Sequence, residues 1–253
     1  VMWRSDVKEN FSGTGDFDHA IVRYGGYGEG ISSYGGLQLQ NYAEATIDHS
    51  LFTDNEVGGV AVNGNATTAT IQHSEFSYNG AGISSVNSTL TIENNTIDNA
   101  GSATEGAIRI KSGTQTGSIT ISGNTVTNSD AAVTIDAGTS VTGSFTITKN
   151  DFADTAETGV RNGTGNALLD ALDNWWGSAT GSTDTVSTDG SEPTTNPGGT
   201  GSSALGAVEY GTWCTASDCS TDNSVPPAAP TNLVITQNGN TYACDGSTFL
   251  NSN

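Results

Sequence analysis

Three regularities in the chain predict an all-β fold, a right-handed parallel β-helix built as a three-sheet solenoid of about seven to eight rungs with a short C-terminal tail. An apolar anchor recurs along most of the sequence, and a second apolar residue follows each anchor five positions later. A third apolar segment, led by Gly or Ala, comes some 10 to 14 residues after the anchor. A chain without a core has no reason to space its Ile, Val and Phe in this way.

The anchor pairs are Phe17 and Val22, Ile47 and Phe52, Ile71 and Phe76, Ile92 and Ile97, Ile121 and Val126, Ile147 and Phe152, and more loosely Ala171 and Trp176. Successive anchors lie 30, 24, 21, 29, 26 and 24 residues apart. The third segments are Gly59-Val60-Ala61-Val62, Gly82-Ile83, Gly106-Ala107-Ile108-Arg109-Ile110, Ala132-Val133-Thr134-Ile135 and Gly159-Val160; in the first unit Gly36-Leu37-Gln38-Leu39 follows an insertion. Three short strands per period describe a triangular coil. One coil cannot bury its inner face, so neighbours must stack at about 4.8 Å per rung, with the anchors in columns. Too little Leu argues against a leucine-rich repeat, and the lack of four-strand blades against a propeller.

Positions beside the anchors carry their own pattern. Three residues after each anchor stand Ala20, Ser50, Ser74, Asn95, Asn124, Asn150 and Asn174. A tight bend is expected there, with Asn adopting the left-handed conformation and Asn95, Asn124, Asn150 and Asn174 forming a hydrogen-bonded structural ladder. Before the anchors stand Thr46, Thr70, Thr91, Thr120 and Thr146, which suit the outer face of a parallel sheet. Two residues after the anchors stand His19, His49 and His73, expected to stack beside Asp18 and Asp48.

These features resemble the bacterial right-handed β-helix repeat proteins of the pectate-lyase-like group. The resemblance is carried by Phe17-Asp18-His19-Ala20-Ile21-Val22-Arg23-Tyr24-Gly25-Gly26, by the Thr-Ile-x-x-Asn turns, and by Asp173-Asn174-Trp175-Trp176-Gly177-Ser178. Val208-Glu209-Tyr210-Gly211-Thr212-Trp213 looks like the strand that ends such domains, although Thr212 stands where Pro is usual. The resemblance covers roughly residues 1 to 213 and implies the fold; the same fold hosts lyases, hydrolases, adhesins and passive surface modules.

The resulting domain plan is a β-helix over 1–213 with a loop excursion at 178–203, a Cys-containing, Pro-rich linker over 214–230, and a C-terminal strand or tail over 231–253. In that tail Leu233, Val234 and Ile235 read as a single strand, available for exchange with a neighbour or belonging to a further module. Val1-Met2-Trp3 suggests a portion of something longer whose first rung needs covering, by upstream rungs or by a docked subunit. Cys214 and Cys219 are candidates for a disulfide in an oxidising compartment, with Cys244 left over or pairing with one of them.

Charge narrows the partners. With 27 acidic against 7 basic residues the net charge is −20, which repels nucleic acid, anionic lipid and polyuronate chains. Ca2+ is the cation such a surface would favour, although a solvated acidic face is the simpler account of the charge. No run of about 18 apolar residues is present to span a membrane.

Several groups invite chemistry. His19, His49 and His73 are weak metal candidates, against a plain ladder of neutral imidazoles. Trp175 is a candidate for stacking on sugar rings, with Trp176 expected to fill the last core layer. Arg109-Ile110-Lys111 resembles the Arg-Ile-Lys run of polygalacturonase-like hydrolases, yet neither the paired Asp-Asp nor the Gly-His-Gly motif of those enzymes is present. No catalytic residue is assigned, and the seven basic residues read as scattered. Ice binding by the Thr column is disfavoured because Thr146-x-Thr148 alone has both members. Sequons at Asn10, Asn65, Asn87, Asn94 and Asn162 show only that glycosylation is compatible with the sequence.

The expected function is an extracellular or cell-surface structural or adhesive module, a stiff acidic rod that assembles end to end into a filament or presents other domains. Its partners would be copies of itself or surface polysaccharide. The alternative is a carbohydrate-binding or polysaccharide-degrading β-helix.

Overall fold

Alternating inward apolar and outward polar side chains give short strands, and Gly, Asn and Asp between them give corners. The computed structural model describes residues 13–25, 35–101, 105–184 and 196–220, and the backbone of strands Val234–Gln237, Asn240–Cys244 and Phe249–Ser252. Among the described residues every regular element is a strand. The chain divides into two units, Val1–Asp222 and Asn223–Asn253.

In the first unit the strands pair in parallel, each with the strand one coil away. One stack runs through Thr14–Asp18, Glu44–Asp48, Val60–Gln72, Ile83–Glu93, Ile119–Ser122 and Phe145–Thr148, and its register sets Phe17, Ile47, Ile71, Ile92, Ile121 and Ile147 in a single file. The five isoleucines are fully buried. A second stack places Val22, Phe52, Phe76, Ile97 and Val126 in register, and Phe152 and Trp176 continue it. The third runs Leu37, Val60, Ile83, Ile108, Val133 and Val160. Each fully buried Ile or Phe contributes roughly 1.5–3 kcal/mol of transfer free energy, so the three columns are the main source of stability.

Stacking also explains the Gly that leads the third segment. A Cβ on Gly59 would lie 2.7 Å from the Gly82 carbonyl oxygen and 2.8 Å from the Phe76 ring, too close for any other residue. Phe52 and Phe76 stack face to face beside it, centroids 4.9 Å apart and planes 6° from parallel.

The bend conformation sits one residue earlier than expected. Positive φ falls on His19, His49, His73, Asn94, Gly123, Lys149 and Asp173, two residues after the anchors, and Asn95, Asn124, Asn150 and Asn174 are not left-handed. Because the residue ahead turns the corner, the Asn side chain is aimed inward. Each amide oxygen accepts from both the backbone N–H and the side-chain N–H of the Asn one coil before, at 2.9–3.0 Å from Asn95 through Asn174. Their Nδ2 groups also donate to buried carbonyls, among them Ile71, Ile92, Ile121 and Ile147. Ser74 and Ser50 extend the ladder toward Ala20 by hydroxyl oxygens that accept the preceding backbone N–H. A second, shorter ladder joins Gly25, Asn55 and Asn79.

The excursion expected over 178–203 is shorter than the composition suggested. Ser182–Thr183 pairs with Gly201–Leu205, and Gly201–Leu205 also pairs with Asp151–Asn162 of the third stack. Residues 185–195 lie outside the described residues, as do residues 221–230 of the Pro-rich linker.

The second unit corrects the single-strand reading of the tail. Val234–Gln237 pairs antiparallel with Asn240–Cys244, and that strand with Phe249–Ser252. Val234 and Ile235 face Ala243 and Tyr242 of their own chain, so this segment already has a partner strand; Leu233 lies outside the described residues. Two residues, Asn238 and Gly239, separate the first pair of strands, and Asn-Gly is the favoured order for a tight two-residue hairpin, a signal that the single-strand expectation missed.

Candidate functional site

Three groups of side chains stand out on the first unit. At the corner after the first stack, the left-handed backbones of His19, His49 and His73 project their rings outward in a pile. Ring centroids are 5.3 Å apart for His19 and His49 at 8° between planes, and 5.1 Å for His49 and His73 at 25°. The Nδ1 atoms all face carboxylates: His19 lies 2.7 Å from Asp18 Oδ1, His49 2.8 Å and His73 3.1 Å from the same Oδ1 of Asp48. Gln72 Nε2 donates to the other oxygen, Asp48 Oδ2, at 3.1 Å. Partial burial pushes the Asp48 carboxyl up, but the hydrogen bonds of Gln72 and His73 and the neighbouring imidazoles hold it below the usual range. Asp48, His49 and His73 have ligand atoms within 4.8 Å of one another.

The second group was not legible in the sequence. Although the basic residues read as scattered, register places Arg109, Thr134 and Arg161 in one column, with Lys111 two residues past Arg109. Arg109 grips Asp136 with two nitrogens, Nε to Oδ1 at 3.1 Å and Nη2 to Oδ2 at 3.2 Å, and reaches Glu105 with Nη1 at 2.9 Å. Burial, with Arg109 nearby, lowers the Lys111 pKa against the pull of Glu105 and Asp136. The signal lay in coil length, since Asp136 meets Arg109 only because 25 residues separate Ile110 from its register partner Ile135.

The third group closes the far end. Cys214 and Cys219 form a disulfide. Cys214 sits against the ladder, its N–H donating to the Asn174 carbonyl at 3.0 Å, and the adjacent Trp213 bridges Asn174. Trp213 Nε1 donates to Ala179 at 3.1 Å. Trp176 is fully buried, between Phe152 and Tyr210 at 5.7 and 5.9 Å, whereas Trp175 is half-buried and makes its backbone bonds with Asn150 and Phe152. Of the sequons, Asn162 is buried with its Nδ2 donating to Ala167 and Ala207, so it is closed to glycosylation in the folded chain.

A family model described as a right handed beta helix region matches residues 12–152. The chain therefore belongs to the right-handed β-helix family, in agreement with the parallel stacks. Comparison with curated proteins and with solved structures found no match.

Proposed function

We propose that this chain is an extracellular or cell-surface structural or adhesive module whose first unit serves as a stiff acidic spacer, stacking on copies of itself or presenting other domains. The observation that carries the reading is the uninterrupted internal ladder. Six successive residues from Ser50 through Asn174 link coil to coil inside the solenoid, so bending it requires breaking buried hydrogen bonds rather than shifting surface loops. The disulfide suits an oxidising compartment, and a net charge of −20 keeps such a body soluble while favouring cations such as Ca2+.

End-to-end stacking would pair the strand edges of one copy's terminal coil with those of the next. The carbohydrate alternative would draw on Arg109 and Trp175, but Arg109 is committed to the carboxylates of Glu105 and Asp136.

Sedimentation velocity and electron microscopy of the full chain, at rising concentration with and without Ca2+, test the reading. Concentration-dependent threads are expected. A uniform monomer throughout would remove self-stacking, and release of reducing ends or unsaturated sugars from a polysaccharide panel would replace the structural role by the enzymatic one.

A further inference from the structure

The corner that holds the histidines asks only for a left-handed backbone. Asn94, Gly123, Lys149 and Asp173 satisfy it on later coils as well as His19, His49 and His73 do on earlier ones. The imidazoles are also exposed, with side chains 54% accessible at His49 and 46% at His73, so the core does not require them. Three aromatic bases in succession, set against carboxylates, therefore need a reason other than the fold.

We propose that Asp48, His49 and His73 bind one divalent transition ion of the Zn2+ class, clamping two successive coils together. The shared Asp48 Oδ1 stands 2.8 and 3.1 Å from the two Nδ1 atoms. Ligands around a tetrahedral ion at about 2.0–2.1 Å sit about 3.3 Å apart, so the two oxygen–nitrogen edges of the site need only small side-chain rotations. The ion takes the place of the Nδ1 protons. Each neutral imidazole keeps one proton, moved to Nε2, and gives its Nδ1 lone pair to the metal. Gln72 fixes the carboxylate through Oδ2 and leaves Oδ1 to coordinate, the supporting role expected of a group behind a ligand. His19, stacked on His49 but tied to Asp18, walls the site without entering it. Three protein ligands leave a position open to water. Two nitrogens and one oxygen select Zn2+, Cu2+, Ni2+ or Co2+ over Ca2+, which takes six to eight oxygens. The site is thus distinct from any Ca2+ loading of the acidic surface and stands whether or not the rod polymerises.

The test is calorimetric titration of Zn2+ into the full chain with 5 mM Ca2+ present, paired with thermal melts and with Co2+ absorption spectra. One ion per chain, a melting midpoint raised by several degrees, and visible Co2+ bands of a low-coordinate site are expected. His49→Asn and His73→Asn are the informative variants, since Asn94 shows that Asn is accepted at this turn and neither change should disturb folding. Each should weaken Zn2+ at least tenfold, whereas His19→Asn should leave affinity within about twofold. No heat and no shift at tenfold excess Zn2+ would overturn the proposal. So would binding that survives the double His49→Asn, His73→Asn change, or binding lost equally in His19→Asn.

Discussion

Removing the amide of Asn124 tests the claim that the inner ladder, and not the apolar file alone, holds the coils in register. In Asn124→Ala the oxygen that accepts from Asn95 N and Asn95 Nδ2, at 3.0 Å each, is gone. Asn95 Nδ2 keeps the Ile71 carbonyl, but Asn95 N is left as a buried donor with no replacement. Below it the Ile92 and Ser122 carbonyls and Asn150 Oδ1 each lose a donor. A stranded buried donor costs roughly 1–3 kcal/mol, and the weakened acceptors with the small void add a comparable amount, giving about 3–5 kcal/mol in total. Asn124→Ser should cost about half as much, because Ser74 shows how a hydroxyl oxygen accepts the preceding N–H while donating to the carbonyl two residues back, Gln72 O at 2.8 Å. Urea unfolding gives the totals, and hydrogen exchange at the Asn95 amide locates the break, which matters because solenoids can open coil by coil. A loss below about 1 kcal/mol for Asn124→Ala, or equal losses for Ala and Ser, would refute the reasoning.

Reducing the Cys214–Cys219 disulfide, which closes a loop of sequence separation 5, should lower stability by about 2 kcal/mol, with exchange rising first around Asn174 in a comparison with and without reductant. Arg109→Ala leaves Asp136 and Glu105 facing each other across a half-buried site and should cost roughly 1–3 kcal/mol in thermal unfolding, with Arg109→Lys recovering only part because it cannot reproduce the two-nitrogen grip on Asp136. Asp151 is pushed up by burial and by Asp154, partly offset by the Ala153 N–H it accepts. Its folded state thus holds the proton more tightly than the unfolded chain, so its charge destabilises at neutral pH and that penalty lifts as pH falls through its folded pKa. Asp151→Asn should therefore stabilise by a few tenths of a kcal/mol at pH 7, once solvent screening is discounted, with the gain shrinking on acidification; denaturant titrations across pH 3–7 measure it.

What the sequence made legible was whatever repeats with the coil. Ile47, Ile71, Ile92, Ile121 and Ile147 declare a file because each faces the same dry interior, and the same logic reached the Asn ladder and the pile of histidines. Three things escaped. The left-handed corner was misplaced by one because Asn favours both that backbone and the inward hydrogen-bonding role, and the structure gives Asn95, Asn124, Asn150 and Asn174 only the second. Contacts across unequal coils, such as Arg109 with Asp136, depend on register between strands and have no local signature. The second unit was underread because Asn240–Cys244 and Phe249–Ser252 are short and carry no repeat to amplify a weak alternating pattern.

The division between inner and outer columns also separates the tests of stability from the tests of function. Asn124 is buried and supports its neighbours, so its replacement should weaken the whole stack; if metal binding at Asp48, His49 and His73 also fell, it would be through lost register. His73 lies two residues past Ile71 on a corner whose backbone Asn can supply, so His73→Asn should remove the ligand while leaving the apo protein's unfolding midpoint within error. A large loss of apo stability in that variant would mean that the imidazole pile itself braces the coils through stacking and its shared carboxylate. The aromatic column would then be part of the scaffold, and a bound ion would add to a brace already present rather than create one.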